Sequence, residues 1–397
     1  MKARIIVTGL IAQHPLGGVT WDYIQYVTGL RRLGYDVYYI EDSGAWPYAL
    51  NGGETGDDFV VSDCSQNVAH LRDVMDRFGL GERWAYRCPI DGGWAGLPDL
   101  QREEVISSTE LLLNISSTLL RPQEYRRIPR MAFIDSDPVF TQLKLARGQN
   151  DFRAVVDAHD VFFSFGECLE EPWVPATGHA WLPTRQPVLL DDWSPAPGVR
   201  PEFTTIMNWS SYNPVKFEGR TFGQKDVEFM RFLDLPKHVA PARLEVAARG
   251  TGRRTLPDGL LSHLNYKGWS VVDPSEVCAD IDQYRDYVRS SYAEWSIAKN
   301  GYVEGRCGWF SCRSACYLAA GRPVVVQDTG FSRVLPTGAG LLAFSTMEEA
   351  AQGIASIQHD YDRHRRAARE IAAEYFDSRK VLTDLVERAW STQEATL

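Results

Sequence analysis

The sequence is short of lysine. It has eight, against 34 arginines. A compact ammonium and a planar guanidinium are not interchangeable as anion ligands, so in such a chain each lysine stands out. It is also short of positive charge altogether. The 42 basic residues face 52 acidic ones, a formal net charge of −10. That argues against the broad basic face of a nucleic-acid binder, while local clusters can still hold small anions. No apolar run approaches the length of a membrane span. Met1-Lys2-Ala3-Arg4 followed by "IIVTGLIA" imitates a signal peptide for a few residues. The Gly-Gly and the helical pattern that follow belong instead to a folded unit. Seven cysteines, an odd number without scaffold spacing, point to reduced thiols and a cytoplasmic protein. Cys307, Cys312 and Cys316 lie close together but match no metal-site spacing. They read as small packing residues.

What is present is an α/β pattern, twice. "RIIVTGLIA" has the length and composition of a buried strand, and "QHPLGG" is a turn-rich loop. In "VTWDYIQYVTGLRRLG", Val19, Tyr23, Val27 and Leu30 fall on one helical stripe, which Gly34 can end. "YDVYYIE" is the next strand, completing a βαβ unit and implying a parallel sheet. "WPYALNGGETGDD" is a loop, "NVAHLRDVMDRFGL" and "LQREEVISSTELLL" are helices, and "RMAFIDSDP" and "VFFSF" are strands. Prolines crowd residues 180–202, marking a linker or domain edge. Beyond it the pattern resumes. Strands "FTTIMNW", "RLEVAA", "EWSIAKN", "PVVVQD" and "GAGLLAF" alternate with helices "QKDVEFMRFLDL", "DIDQYRDYVRSS", "SCRSACYLAA" and "TMEEAAQGIASI". A charged helical tail runs over about 361–392. In such sheets ligands sit at the carboxyl ends of strands, near helix starts.

The run "GWFSCRSACYLAAGRPVVVQDTGFSRVLPTGAGLLAF" resembles the donor-binding half of GT-B glycosyltransferases. Family 4 has the form E-x-F-G-x-x-x-x-E-A-x-A-x-G-x-P-V-V, then D-x-G-G and G-x-x-G-L-L. Phe310, Ala319 to Gly321, Pro323, Asp328, Gly330 and Gly340-Leu341-Leu342 fall in register. "GGVTWDYIQYVTGLRRLGYDVYYIE" is similar to that family's opening. The resemblance covers the first ~45 residues and roughly 260–360 well, and the rest loosely. It implies an α/β protein of two Rossmann-like domains facing across a cleft. Residues 1–195 would bind an acceptor and 196–370 a nucleotide sugar, with 371–397 a helix packing back on the first domain. The family's two glutamates would fall at Gly308 and Cys316, and neither carboxylate is present.

The resemblance also nominates residues. Arg220 and Lys225, in "GRTFGQK", have the spacing of its phosphate-neutralising pair, and Lys299 and the Phe310, Ser311 and Arg313 helix start join them. Gly17 and Gly18 match its first glycine loop. Trp269 would stack on the base and Ser314 would replace a glutamate at the ribose, with Glu304 a second substitute. Gln327, Asp328, Thr329 and Gly330 would face the donor sugar. His14 resembles the base of inverting family 1 enzymes, oriented by Asp135 or Asp137. Those aspartates also spell the D-x-D metal pattern of the GT-A class, a short match in a chain with two α/β patterns. The expectation is a metal-independent glycosyltransferase with no cofactor and a sugar or aromatic acceptor. Nucleic acid and a membrane span are not expected, and a homodimer is compatible. The alternatives are a nucleotide-sugar epimerase of the same fold and a non-catalytic sugar- or nucleotide-binding protein.

Overall fold

A computed structural model describes residues 2–49, 60–148, 150–249 and 256–391. The loop expected at residues 46–58 therefore lies largely outside the described residues. The chain divides into two compact units. The first comprises residues 1–165, 176–187 and 378–397, and the second residues 166–175 and 188–377.

The strands of the first unit are β1 (Arg4–Thr8), β2 (Asp36–Glu41), β3 (Trp84–Arg87), β4 (Trp94–Gly96), β5 (Leu111–Ile115), β6 (Arg130–Asp135), β7 (Val161–Ser164) and β8 (Trp181–Pro183). They form one sheet in the order β4-β3-β2-β1-β5-β6-β7-β8, parallel except for the β3–β4 pair. β1 and β5 are fully or almost fully buried runs of Ile, Val and Leu, as a sheet covered on both faces requires. The sequence places a helix over "LQREEVISSTELLL". The structure divides it into the helix Asp99–Ser108 and the central strand β5. Thr109 and Glu110 break the helix, and the three leucines that follow pack beside β1.

The last helix, Ser378–Ser391, lies in this unit against the helix Gly17–Arg32. Gly29 is needed there, because a Cβ would stand 2.5 Å from Leu382 Cδ1. The thiol expectation is corrected for one pair: Cys64 and Cys88 are joined as a disulfide, 24 residues apart. Cys168, Cys278, Cys307, Cys312 and Cys316 are not in disulfides.

The second unit holds β9 (Glu202–Asn208), the hairpin β10 (Val215–Phe217) and β11 (Arg220–Phe222), then β12 (Arg243–Arg249), β13 (Ser270–Val272), β14 (Ala293–Ser296), β15 (Val324–Gln327) and β16 (Leu341–Phe344). Its six-stranded parallel sheet runs β13-β12-β9-β14-β15-β16. One core of aromatics lies beneath it. Trp269 and Trp295 have ring centroids 5.0 Å apart, and Phe229 sits 4.8 Å from Trp269. In both sheets the first strand of the unit is where the strand order reverses. Between β1 and β5, and between β9 and β14, the chains leaving neighbouring strands diverge and leave a crevice.

Candidate active site

The crevice in the second unit is built from two loops. β9 leads through the hairpin to Lys225, the first residue of the helix Lys225–Arg231. β14 leads to Lys299, the N-cap of the helix Asn300–Gly305. The two helix starts are tied together. Gly223 N donates to Asn300 Oδ1 at 2.8 Å, and Gly301 N donates to Gly223 O at 3.0 Å. Beneath them Glu228, wholly buried, accepts from Asn300 Nδ2 at 2.8 Å, Gln327 Nε2 at 2.5 Å and Arg231 at 2.7 Å. Gln327 Oε1 in turn accepts from Ala298 N at 3.1 Å. One carboxylate thus fixes the ends of β14 and β15 and one helix start. Sequence reasoning missed it. The available signal was an acid at the register of Phe229, on the buried side of an amphipathic helix.

This frame gathers cations. Lys225 is half-buried and has no hydrogen bond or ion pair with any other described residue. Burial pushes its pKa well below the ordinary lysine value, the nearby charges of Arg313 and Lys299 push it the same way, and Glu294 opposes them. Lys299 donates to the Tyr212 hydroxyl at 3.0 Å and lies over the rings of Tyr212 and Tyr302. Lys225, Lys299 and Arg313 thus meet above two buried carboxylates, Glu294 and Glu228, of which Glu294 pairs with Arg313 and Glu228 with Arg231, in an acidic chain.

The other nominated residues of this unit divide. Arg313 is largely but not fully buried and already committed. It donates to Glu294 at 2.7 Å, to the Ile206 carbonyl at 2.5 Å and to Ser296 Oγ. Arg220 pairs with Glu304 at 2.9 Å and lies over Trp173 at 4.4 Å, so both the expected phosphate ligand and the second glutamate substitute have other partners. Trp269 is corrected to core. It is 3% exposed and its Nε1 donates to the Leu233 carbonyl at 2.9 Å. Phe310 is buried, stacked on Phe376 with centroids 5.3 Å apart. Ser311 is the N-cap of the helix Cys312–Ala319, with no side-chain capping bond.

Ser314, 1% exposed, has a hydroxyl with no hydrogen-bond partner. Gln327 is engaged by Glu228 and Ala298, as above. Asp328 caps its own turn, accepting from Gly330 N at 2.9 Å and Ser332 Oγ at 2.7 Å. Thr329 bonds the Trp309 carbonyl. Gly330 has φ +96°, and a Cβ there would lie 2.5 Å from the Arg306 carbonyl oxygen. These four residues shape a turn, and their side chains are largely spent in doing so.

In the first unit the loop after β1 carries His14, with Gly17 and Gly18 opening the helix behind it. Glu41 holds this loop. Its carboxylate accepts from Ala12 N at 2.9 Å, Gln13 N at 2.6 Å and the Tyr39 hydroxyl at 2.6 Å, and Ile11 N donates to that hydroxyl at 3.0 Å. Burial raises the Glu41 pKa to about 7. His14 lies against Tyr48 with ring centroids 4.5 Å apart, and burial lowers its pKa to about 4. The near-neutral histidine expected from the resemblance is therefore a neutral imidazole and a weak base.

Asp135 is not its partner. Its two oxygens accept from Asp137 N at 3.0 Å, Thr141 Oγ1 at 2.7 Å, Gln142 Nε2 at 3.0 Å and Ser164 Oγ at 2.9 Å. That carboxylate anchors the turn after β6. Asp137 begins the same turn, its carbonyl accepting from Thr141 N at 3.1 Å.

No family model matches the chain, and no curated protein matches it in sequence. Solved structures do match in fold. An alpha-glucosyltransferase in complex with UDP and a 13-mer DNA containing a central A:G mismatch has a TM-score of 0.61 at 10% identity, covering 98% of this chain and 100% of its own. HepE of Anabaena in complex with UDP has a TM-score of 0.57 at 10% identity, with 98% and 100% covered. AviGT4, a glycosyltransferase involved in avilamycin A biosynthesis, has a TM-score of 0.50 at 11% identity, with 98% and 97% covered. Two Rossmann-like units matched over almost the whole chain define the class: this protein has the GT-B fold.

Proposed function

We infer that the protein is a glycosyltransferase. It moves a glycosyl group from a nucleotide sugar to a sugar or aromatic small-molecule acceptor, without a metal. The second unit takes the donor and the first the acceptor. The observation that carries the reading is the cation focus at the β9/β14 crevice. Among the described residues Lys225 has no ion pair, Arg313 and Lys299 disfavour its charge more than the nearby Glu294 favours it, and it lies near Lys299 in a lysine-poor chain. A nucleoside diphosphate supplies the missing negative charge. As the glycosyl bond breaks, charge builds on the leaving diphosphate, and fixed cations stabilise that state more than the ground state. The solved structures of this fold described above include complexes with UDP, which is consistent with this use of the crevice.

His14 is the group in the first unit that can take the acceptor's proton if the anomeric centre inverts. Its imidazole is neutral and available above about pH 5, although a pKa near 4 weakens it as a base. If the centre is retained, the leaving phosphate can take that proton and His14 becomes structural.

The test is release of free nucleotide from a panel of nucleotide sugars, with and without acceptors, and with and without EDTA. The expected outcome is acceptor-stimulated release that EDTA leaves intact and Lys225→Ala strongly reduces. Sugar interconversion without release would identify an epimerase. A melting shift with no turnover on any donor would identify a binding protein.

A further inference from the structure

In the first unit the chain leaving β1 makes a tight turn, and one buried carboxylate closes it. Glu41, the last residue of β2, is wholly buried. Its Oε1 accepts from Gln13 N at 2.6 Å, and its Oε2 accepts from Ala12 N at 2.9 Å and from the Tyr39 hydroxyl at 2.6 Å. That hydroxyl accepts in turn from Ile11 N at 3.0 Å. Three consecutive backbone N–H groups thus converge on one carboxylate and its phenol. His14 N donates to the Leu10 carbonyl at 3.0 Å, completing the turn directly before the imidazole. Gly9 permits this close approach, since a Cβ there would stand 2.7 Å from both the Tyr23 ring and the Tyr39 hydroxyl.

Neutral groups tie the other side of the turn. Asn67 Nδ2 donates to the Ala12 carbonyl at 2.7 Å and the Tyr48 carbonyl at 2.9 Å, and Tyr48 N donates to the Gln13 carbonyl at 2.9 Å. Those bonds are indifferent to pH, and the Glu41 bonds are not. Both carboxylate oxygens face donors, so a proton added to either one meets an N–H or O–H already pointing there. Tyr39 does not relieve this. Its hydroxyl bonds only Ile11 N and Glu41 among the described residues, so turning its hydrogen away would leave that hydrogen buried without an acceptor.

The titratable groups facing Glu41 are the phenols of Tyr39, on β2 itself, and Tyr86, on β3, while Tyr23 of the helix Gly17–Arg32 faces Tyr39. Burial pushes Tyr39 and Tyr86 above the ordinary phenol value. Burial holds His14 neutral, with its pKa lowered to about 4. Asp42, next along the chain, is paired with Arg121 at 2.7 Å and Arg87 at 3.4 Å. Glu41 itself has no ion pair among the described residues, and burial raises its pKa to about 7. Of Glu41, His14, Tyr39 and Tyr86, only Glu41 changes charge near neutrality.

We propose that Glu41 is a positioning residue for the acceptor side of the reaction: ionised, it locks the Leu10–His14 turn and fixes the imidazole, and protonated, it releases a backbone amide and the turn loosens. The inference rests on the transferase reading and deepens it, giving the loop that carries His14 a proton-dependent control. Stability should run the other way. The folded pKa is raised from 4.5 to about 7, so the protonated form's contribution is complete below about pH 4.5 and lost as pH rises to about 7. A carboxylate with a merely structural role would make turnover follow stability. A positioning carboxylate makes turnover rise where stability falls.

The test is hydrogen exchange of the peptide covering residues 10–14 over about pH 6–8, corrected for the intrinsic pH dependence of exchange. Nucleotide release at saturating donor and denaturant unfolding are measured over the same range. Protection should rise with pH by roughly 3- to 10-fold, as loss of a hydrogen bond to a charged group allows, and turnover should rise with it while stability declines. This wild-type profile needs no variant. Folded Glu41→Gln should show low protection and low turnover, both without the pH dependence, and Glu41→Asp should restore part of that dependence. Protection that does not change with pH would overturn the proposal. So would turnover that stays flat while protection shifts, or wild-type exchange in Glu41→Gln. A protein whose turn behaves as expected but which turns over no donor at any pH would instead bring down the transferase reading.

Discussion

At the scale of the residue, lysine scarcity made every lysine stand out, and the structure brings two of them, Lys225 and Lys299, close together, whereas Lys267 pairs with Asp234. Arginines gave no such signal. With 34 of them, nothing in the sequence distinguishes Arg313, locked to Glu294, from a free anion ligand. Buried carboxylates were equally silent. Glu41 and Glu228 act by accepting hydrogen bonds from backbone and amide groups that a linear sequence does not bring near them. Lys225 yields a sharp expectation. Its charge is disfavoured by burial and by two cations, and a bound diphosphate would favour it. Binding should therefore raise the Lys225 pKa and draw a proton from solution, and affinity should fall as pH rises. Calorimetry of UDP binding over a series of pH values, in buffers of different ionisation enthalpy, should show net proton uptake that grows as the free amine loses its charge. Lys225→Met should weaken binding and abolish the uptake. Binding without proton uptake would mean that Lys225 is charged already or lies outside the site.

At the scale of the element, the βαβ units were readable because buried parallel strands are short Val-, Ile- and Leu-rich runs between helices of a different period. β5 was hidden because its leucines continue the helix before it without a glycine or proline to separate them. β3, β4 and β8 are short strands of three or four residues at or next to the edges of the sheet, too brief to show a period. Trp269 was misread for a related reason. An aromatic beside a strand looks the same whether it meets a base or a core, and only the contacts decide. Here they are Phe229, Trp295 and the Leu233 carbonyl. Trp269→Ala should accordingly cost about 3–5 kcal/mol of stability, as truncation of a buried tryptophan does. Denaturant unfolding measures this. At a temperature where the variant remains folded, its UDP affinity should match the wild type. A weakened affinity with normal stability would return Trp269 to the base.

At the scale of the whole molecule, fold and charge pull toward different partners. An alpha-glucosyltransferase of the same fold has been solved with DNA, and at 10% identity that likeness carries the fold and not the acceptor. Binding a duplex requires neutralising several phosphates with lysine and arginine, and this term supplies essentially all non-specific affinity. Here 52 acids outnumber 42 bases, and many arginines are internally paired, among them Arg4, Arg83, Arg126 and Arg313. The same balance does not penalise a small diphosphate. On the proposed reading it would enter beside Lys225 and Lys299, and the acidic surface is largely screened beyond about 8–10 Å at ordinary salt. The two ligands should therefore separate cleanly. A fluorescent duplex at about 150 mM salt should show no anisotropy change up to roughly 10 µM protein, below even ordinary non-specific binding. UDP should raise the melting temperature under the same conditions. Duplex binding that weakens steeply with added salt would reveal a basic track that the overall charge conceals, and would place nucleic acid among the acceptors to be tested.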